Sequence, residues 1–175
     1  MFPYRCARAN PDKLYVGIDT NIRPLEKISE KAFRKPSKGG TPNLLYLLAS
    51  VEDLPEELNG IASETFVLYP WGGLLKGVLE PDLRILKSLR RICCGTLHIA
   101  VTMDPERDRT ELRRLGLSDF STVNLNTYRQ AGFEFVDESP LQFETTWSKK
   151  LQQNHRRTVR YLTFAALRPF VKSIE

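Results

Sequence analysis

Short apolar runs alternate with amphipathic stretches along this chain, and this alternation is the feature that most restricts its fold. The apolar runs are typical of buried strands and cover residues 14–19, 43–50, 64–69, 95–103, 133–136 and 158–167. The intervening stretches predict helices over residues 2–9, 24–35, 74–91 with a break at Pro81, 107–115 and 124–131. This order predicts an α/β fold with a mainly parallel sheet, closed by an antiparallel strand pair at the C-terminus. No domain boundary is visible, so residues 1–175 are expected to form a single domain.

The first elements of the chain are those of a nucleotide-binding α/β unit that starts one element late. Such a unit opens with a strand and a glycine-rich turn, and an acidic residue follows about 20 residues further on. Asp19 stands where that acid belongs, and residues 2–9 match the helix after the turn. The first strand of the sheet and its glycines are therefore expected to be missing.

The composition excludes several classes of protein. Hydrophobic residues make up 41% and charged residues 27%, which is typical of a globular domain. No apolar stretch approaches the roughly 20 residues of a membrane helix, and no secretory signal is visible, so a soluble cytoplasmic chain without a membrane partner is expected. The three cysteines, Cys6, Cys93 and Cys94, lack metal-ligand spacing, and only two histidines are present. We expect no metal site and reduced, mostly buried thiols.

The charge of the chain is concentrated at its two ends. Residues 1–40 carry nine basic and four acidic groups, and residues 145–175 carry seven basic groups and one acidic group. The 104 residues between them are acidic, although the whole chain has a net charge of +5. Basic ends that fold together would attract a polyanion through phosphate contacts, whereas a merely solvated charged face is the alternative that charge alone leaves open.

Four motifs carry a resemblance to a known family. They occupy residues 35–40, 51–55, 69–72 and 146–151, and two of them contain the only tryptophans, Trp71 and Trp147. In combination and order they resemble the aminoglycoside-resistance 16S rRNA (adenine-1408-N1) methyltransferases of the Kam and Npm type, over essentially the whole chain. The resemblance implies a class I (Rossmann-like) methyltransferase sheet and S-adenosylmethionine as cofactor. It also implies the decoding-site adenine of 16S rRNA, within the assembled 30S subunit, as the target, and a monomeric enzyme whose activity confers resistance.

The same resemblance implies roles for individual residues. Asp19 matches the acid that holds the ribose hydroxyls of the cofactor, and Val51 and Glu52 match the pair that frames its adenine. The walls of the cofactor pocket would be formed by Leu68, Tyr69, Pro70, Trp71, Gly72 and Gly73, and by Thr145, Thr146 and Trp147. Trp71 and Trp147 would also clamp the target base, because stacking on aromatic rings holds an extruded base. Packing tryptophans of the ordinary kind are the alternative reading.

Two basic segments are candidates for rRNA binding. They consist of Lys31, Arg34, Lys35 and Lys38 near the N-terminus, and of Lys149, Lys150, His155, Arg156, Arg157 and Arg160 near the C-terminus. Pro36 is expected to end the preceding helix in a flexible basic loop. Residues 35–40 are not a P-loop, since they lack the leading glycine and the Gly-Lys-Ser/Thr ending.

The chemistry implied by the resemblance needs no general base. N1 of adenine carries an in-plane lone pair, so alignment of the reactants can supply most of the rate. His98 lies in a predicted buried strand and is interpreted as structural. A non-catalytic RNA-binding remnant is the alternative function, because the glycine-rich turn is missing. A dehydrogenase-like nucleotide binder is the weaker alternative, because tryptophan clamps and basic segments have no role there.

Overall fold

The computed structural model describes residues 2–104, 106–117, 123–139 and 158–167. These residues divide into two compact units, 2–53 and, with the gaps just given, 54–167. The helices are α1 (Phe2–Ala9), α2 (Ile22–Ala32), α3 (Gly72–Leu79), α4 (Leu83–Ile92), α5 (Arg109–Leu115) and α6 (Leu125–Gln130). The strands are β1 (Tyr15–Asp19), β2 (Leu44–Leu48), β3 (Ala62–Leu68), β4 (Cys93–Met103), β5 (Phe133–Ser139) and β6 (Thr158–Ala166). Every predicted helix and strand is thus confirmed, with ends that differ by a few residues.

The first unit is built around a pair of parallel strands. β1 and β2 run side by side in a register that begins at Tyr15 opposite Leu44. Helices α1 and α2 supply Tyr4, Ala7 and Ala32 to the small core against β2. Asn21 caps the N-terminus of α2, because its side-chain oxygen accepts the Arg23 backbone N–H at 3.2 Å.

A hydrogen-bonded turn connects α2 to β2. The flexible loop expected there is instead a 3₁₀ turn over Pro36–Lys38, followed by Gly39 in the left-handed region at φ 85°. The Tyr4 hydroxyl donates to the Gly39 carbonyl at 2.6 Å, and the Thr41 N–H donates to the Ala32 carbonyl at 2.9 Å. These bonds fix the backbone of the basic segment against α1 and α2.

The second unit contains a four-stranded sheet in the order β3-β4-β6-β5. β3 and β4 are parallel, whereas β6 runs antiparallel to both β4 and β5. The predicted antiparallel pair at the C-terminus is therefore confirmed. Within the described residues, β1 has β2 as its only neighbouring strand, and β3 has β4 as its only neighbouring strand. The missing first strand stays a prediction.

Helices cover one face of this second sheet. Tyr128 of α6 stacks on Phe164 of β6 with ring centroids 4.2 Å apart, and its hydroxyl donates to the Val78 carbonyl at 2.8 Å. Burial of this phenol raises its pKa far above the usual value. The predicted break at Pro81 is confirmed, because α3 ends at Leu79 and Asp82 caps α4. No helix among the described residues is long and apolar enough to cross a bilayer.

None of the three cysteines forms a disulfide, but the expectation that they are mostly buried is wrong. Cys93 is fully buried at the start of β4, whereas Cys6 is half-buried and the neighbouring Cys94 is exposed. Alternation along β4 explains why Cys93 is buried and Cys94 exposed, because adjacent residues of a strand point to opposite faces of the sheet.

A polar and aromatic row crosses the other face of the second sheet. His98 of β4 stacks on Phe66 of β3 with ring centroids 4.6 Å apart, and its Nδ1 shares a hydrogen bond of 2.8 Å with the Tyr161 hydroxyl of β6. Burial lowers the pKa of His98, and the negative charge of Glu64 opposes that shift only in part. His98 thus lies in a stacked row of the sheet, and its interpretation as a structural residue stays a prediction.

We expect the unfolding free energy to fall as the pH drops below the ordinary histidine pKa of about 6.5. The unfolded chain takes up a proton there more readily than folded His98 with its lowered pKa, so protonation favours the unfolded state. Urea unfolding of the wild type and of His98→Gln at pH 7.5 and 5.5 measures the effect. The stability advantage of the wild type should shrink at pH 5.5, and an advantage that grew there would contradict this assignment.

Candidate active site

The carboxyl ends of β1 and β2 lie at the same edge of the first unit, because the strands are parallel. Asp19 is the last residue of β1, and its side chain is exposed. One carboxylate oxygen accepts the Asn21 backbone N–H at 2.9 Å, which fixes the side chain beside the start of α2. Val51 and Glu52 follow β2 in a turn, the first half-buried and the second exposed. The structure thus places Asp19 at the end of β1 and Val51 and Glu52 after the end of its partner strand β2, and their roles stay predictions.

A strained turn follows β3 in the second unit. The Tyr69 N–H donates to the Ala100 carbonyl at 2.7 Å, so pairing with β4 continues one residue past the strand. Tyr69 then adopts a left-handed φ of 52°, which costs a residue with a side chain about 1–2 kcal/mol. Gly72 also has a positive φ, 59°, at the first position of α3. Two residues with a positive φ, Tyr69 and Gly72, therefore flank Pro70 and Trp71.

This turn presents Trp71 to solvent. The side chain of Trp71 is 52% exposed at the N-cap of α3, where it makes no capping hydrogen bond, whereas the adjacent Pro70 is buried. A large ring held outside the core by a fixed backbone is suited to stacking on another flat ring. Leu68, Tyr69, Gly72 and Gly73 belong to the same short segment, so the structure brings this part of the predicted site together.

The N-terminal basic segment forms a continuous exposed surface at the end of α2. Arg34, Lys35 and Lys38 are exposed, and Lys31 is half-buried with its ammonium 4.2 Å from the centroid of the Tyr4 ring. No aspartate or glutamate occurs between Lys31 and Val51. The surface therefore has a single sign of charge along this part of the chain.

Arg160 is the one member of the C-terminal basic segment within the described ranges. Its guanidinium forms two hydrogen bonds to the Glu138 carboxylate, at 2.6 and 2.7 Å, and this pairing lowers the pKa of Glu138. The charge of Arg160 is thus balanced across β5 and β6. Its role in rRNA binding stays a prediction.

The other predicted site residues of the C-terminal part of the chain lie outside the described residues. They are Thr145, Thr146, Trp147, Lys149, Lys150, His155, Arg156 and Arg157.

Sequence reasoning missed Phe33, which lies within the basic surface. Phe33 caps the C-terminal end of α2 and is 78% exposed. The sequence offered little signal, since Phe33 lies eight residues after Leu25, a spacing that the apolar face of a helix also uses. Leu25 and Ala32 are buried and Ile28 is half-buried, whereas Phe33 follows the last residue of α2 and its side chain is exposed.

The acidic side chain at the end of β1 fits a nucleoside cofactor with a ribose diol. An exposed carboxylate such as that of Asp19 can accept hydrogen bonds from hydroxyl groups, and the end of a parallel strand is the usual place for it. The two-unit α/β fold and these residues define the class of a nucleotide-dependent α/β enzyme of the Rossmann-like kind.

Comparison with known proteins identifies the family within this class. Residues 1–166 match the family model described as NpmA, 16S rRNA (adenine(1408)-N(1))-methyltransferase. The enzyme of that name from Streptoalloteichus tenebrarius is 35% identical over 167 residues, which cover 89% of this chain and 77% of that protein. The chain belongs to the 16S rRNA (adenine(1408)-N(1))-methyltransferase family.

Solved structures agree with this assignment. The crystal structure of the aminoglycoside resistance methyltransferase NpmB1 superimposes with a TM-score of 0.80 at 40% identity and covers 95% of this chain and 82% of that one. A variant of the family enzyme from Catenulisporales acidiphilia, solved with its cosubstrate SAM, gives a TM-score of 0.82 at 30% identity, over 96% of this chain and 81% of that one. The predicted methyltransferase fold class is confirmed.

Proposed function

We propose that this protein transfers a methyl group from S-adenosylmethionine to N1 of adenine 1408 of 16S rRNA. The observation that carries the proposal is the family match over residues 1–166, together with relatives of that name at 31–35% identity. The structure of a relative with SAM supports the choice of cofactor. Aminoglycoside resistance is the expected consequence, since the NpmB1 relative carries that description.

Asp19, Val51 and Glu52 would hold the nucleoside part of the cofactor. The exposed Asp19 carboxylate would accept hydrogens from the two ribose hydroxyls, while Val51 and Glu52 would frame the adenine. Leu68 to Gly73 and Thr145 to Trp147 would line the remainder of the pocket. When bound, S-adenosylmethionine supplies a methyl group that is activated by the positive charge on its sulfur.

Trp71 and Trp147 would hold the target adenine outside its stack. The N1 lone pair lies in the plane of the base, so this chain needs no proton acceptor at that atom and must only orient the ring. Stacking fixes the plane of the base, and the turn from Tyr69 to Gly72 fixes the position of Trp71. Alignment, rather than acid–base chemistry, is therefore the contribution we assign to these residues.

The two basic segments would position the rRNA. Lys31, Arg34, Lys35 and Lys38 would contact phosphates of the rRNA, and so would the residues of the C-terminal basic segment. We further propose that the enzyme acts in the cytoplasm, as a monomer with a single methyltransferase domain, on the assembled 30S subunit. Two basic segments, one near each end of the sequence, suit docking on a folded RNA more than on a short strand.

A methyl-transfer assay with the full chain tests the function. Purified 30S subunits, 50S subunits and naked 16S rRNA are incubated with S-adenosylmethionine that carries a labelled methyl group. Label should enter the 30S subunit only, and reverse transcription should stop at adenine 1408, because a methyl on N1 blocks base pairing. Unlabelled 30S subunits would refute the proposed function, whereas equal labelling of naked rRNA would refute only the requirement for assembly.

Replacing Asp19 by asparagine should weaken cofactor binding about tenfold or more, since a hydrogen bond to a charged group is worth about 1.5–3 kcal/mol. Asparagine keeps the oxygen that accepts the Asn21 N–H and replaces the other acceptor by a donor. Titration calorimetry with S-adenosylmethionine measures the change. Asp12→Asn, in an exposed turn of the same unit, is the control that should bind like the wild type. Equal affinities of Asp19→Asn and the control would contradict the assignment.

A further inference from the structure

Phe33 is the most exposed large apolar side chain in the part of the chain that the structure describes. It is 78% exposed, compared with 61% for Leu14 and 59% for Val136. An isolated exposed apolar residue is common on protein surfaces and needs no special reason. The exposure of Phe33 does have a reason, because its backbone is held by hydrogen bonds and the charged residues that follow it are cations.

The backbone that carries Phe33 is held on both sides. The Phe33 N–H donates to the Ser29 carbonyl at 3.0 Å, and the Gly40 N–H returns to the Lys35 carbonyl at 3.1 Å. A Cβ atom at Gly40 would collide with the carbonyl of Arg34, so only glycine permits the chain to return this closely. The aromatic ring is thus attached to a preformed turn, and little backbone freedom would be lost if the ring bound a partner.

The charged residues that follow Phe33 are cations. Arg34 follows it directly, Lys35 and Lys38 are exposed on the same turn, and no acidic residue occurs from Lys31 to Val51. An aromatic ring among cations is the combination by which proteins hold unpaired nucleotides, since the cations contact phosphates while the ring stacks on a base. An apolar protein partner would not require this charge.

We propose that Phe33 stacks on an unpaired nucleobase of the rRNA and so fixes the position of the N-terminal basic segment on the small subunit. This inference rests on the proposed function, and it concerns docking of the rRNA rather than the clamping of the target base by Trp71. Phe33 acts as a positioning residue, whose loss weakens binding of the subunit and leaves the chemical step unchanged.

The test compares binding and turnover of four full-length variants. Phe33→Ala and Phe33→Leu should bind 30S subunits about 5- to 100-fold more weakly, as expected for the loss of one stacked base, and Phe33→Trp should bind at least as tightly as the wild type. The KM for 30S subunits should rise with the dissociation constant while kcat is unchanged. Val136→Ala is the matched control, because Val136 is also exposed but lies between Glu134 and Asp137.

The salt dependence separates stacking from charge. Phe33→Ala should leave the slope of log affinity against log salt unchanged, whereas Lys35→Ala should reduce its magnitude by about 0.7–0.9 for one lost phosphate contact. Wild-type affinity in Phe33→Ala would overturn the inference. Wild-type affinity in Phe33→Leu would also overturn it, since it would indicate apolar packing against a protein or a second copy of the chain.

Failure of the proposed function gives a different pattern. If the wild type binds 30S subunits but leaves adenine 1408 unmethylated, the proposed function is wrong, and weaker binding by Phe33→Ala still supports this inference. If the wild type methylates adenine 1408 and Phe33→Ala binds equally well, the inference alone is wrong. A wild type that binds no 30S subunits would overturn both.

Discussion

Replacing Trp71 by alanine is expected to lower the rate of methyl transfer about 100-fold or more while leaving the fold intact. The stacked ring fixes the plane of the target adenine, and a misplacement of about 1 Å at a reacting centre costs about 100-fold in rate. Because Trp71 is 52% exposed, its removal should change the unfolding free energy by about 1 kcal/mol or less. The effect should fall on kcat rather than on the KM for 30S subunits, since the basic surfaces supply the docking.

Single-turnover methylation of 30S subunits measures this effect. Trp71→Phe keeps a stacking ring and should retain activity within about tenfold of the wild type. Ile61→Ala removes a side chain of similar exposure, 56%, from the same unit and should have no effect. A Trp71→Ala variant that methylates adenine 1408 at the wild-type rate would show that Trp71 is an ordinary surface residue.

The strand and helix pattern could be predicted because each signal is local. β4 follows from the alternation of its apolar residues, and the boundary between α3 and α4 follows from Pro81, which cannot continue the hydrogen bonds of a helix. The antiparallel position of β6 between β4 and β5 was less determined by the sequence. Its β-branched and aromatic residues predict a strand, but its neighbours depend on contacts between distant residues.

The candidate site could be predicted only where a motif carried it. Trp71 belongs to such a motif and Asp19 to the pattern of a nucleotide-binding unit, and the structure exposes both, Asp19 at the end of β1 and Trp71 at the start of α3. The left-handed backbone of Tyr69 could not be inferred, because tyrosine has no preference for that conformation. The closed turn from Phe33 to Gly40 was also missed, since proline, serine, lysine and glycine in sequence are equally typical of a flexible loop. Hydrogen bonds to Tyr4 and Ala32, from elsewhere in the unit, decide between the two.

Replacing Gly40 by alanine is expected to lower the unfolding free energy of the protein by about 2–3 kcal/mol. The added methyl group would collide with the Arg34 carbonyl, which is backbone and cannot move away by a side-chain rotation. Overpacking of this kind costs about 1–3 kcal/mol, and backbone collisions belong to the upper part of that range. Urea unfolding followed by circular dichroism measures the loss. Binding of 30S subunits should weaken as well, because the same turn carries Phe33 and Lys35.

Gly60→Ala separates steric collision from backbone strain. Gly60 has a positive φ of 67°, but a Cβ atom there would meet open space, so alanine costs only the left-handed conformation, about 1–2 kcal/mol. At Gly40 the situation is reversed, because a Cβ atom there would collide with the Arg34 carbonyl although the φ of Gly40 is not positive. Gly40→Ala should therefore be the less stable variant and the only one with weaker binding of 30S subunits. If the two variants were equally stable and bound equally well, the turn would tolerate displacement, and its proposed role as a rigid support for Phe33 would be wrong.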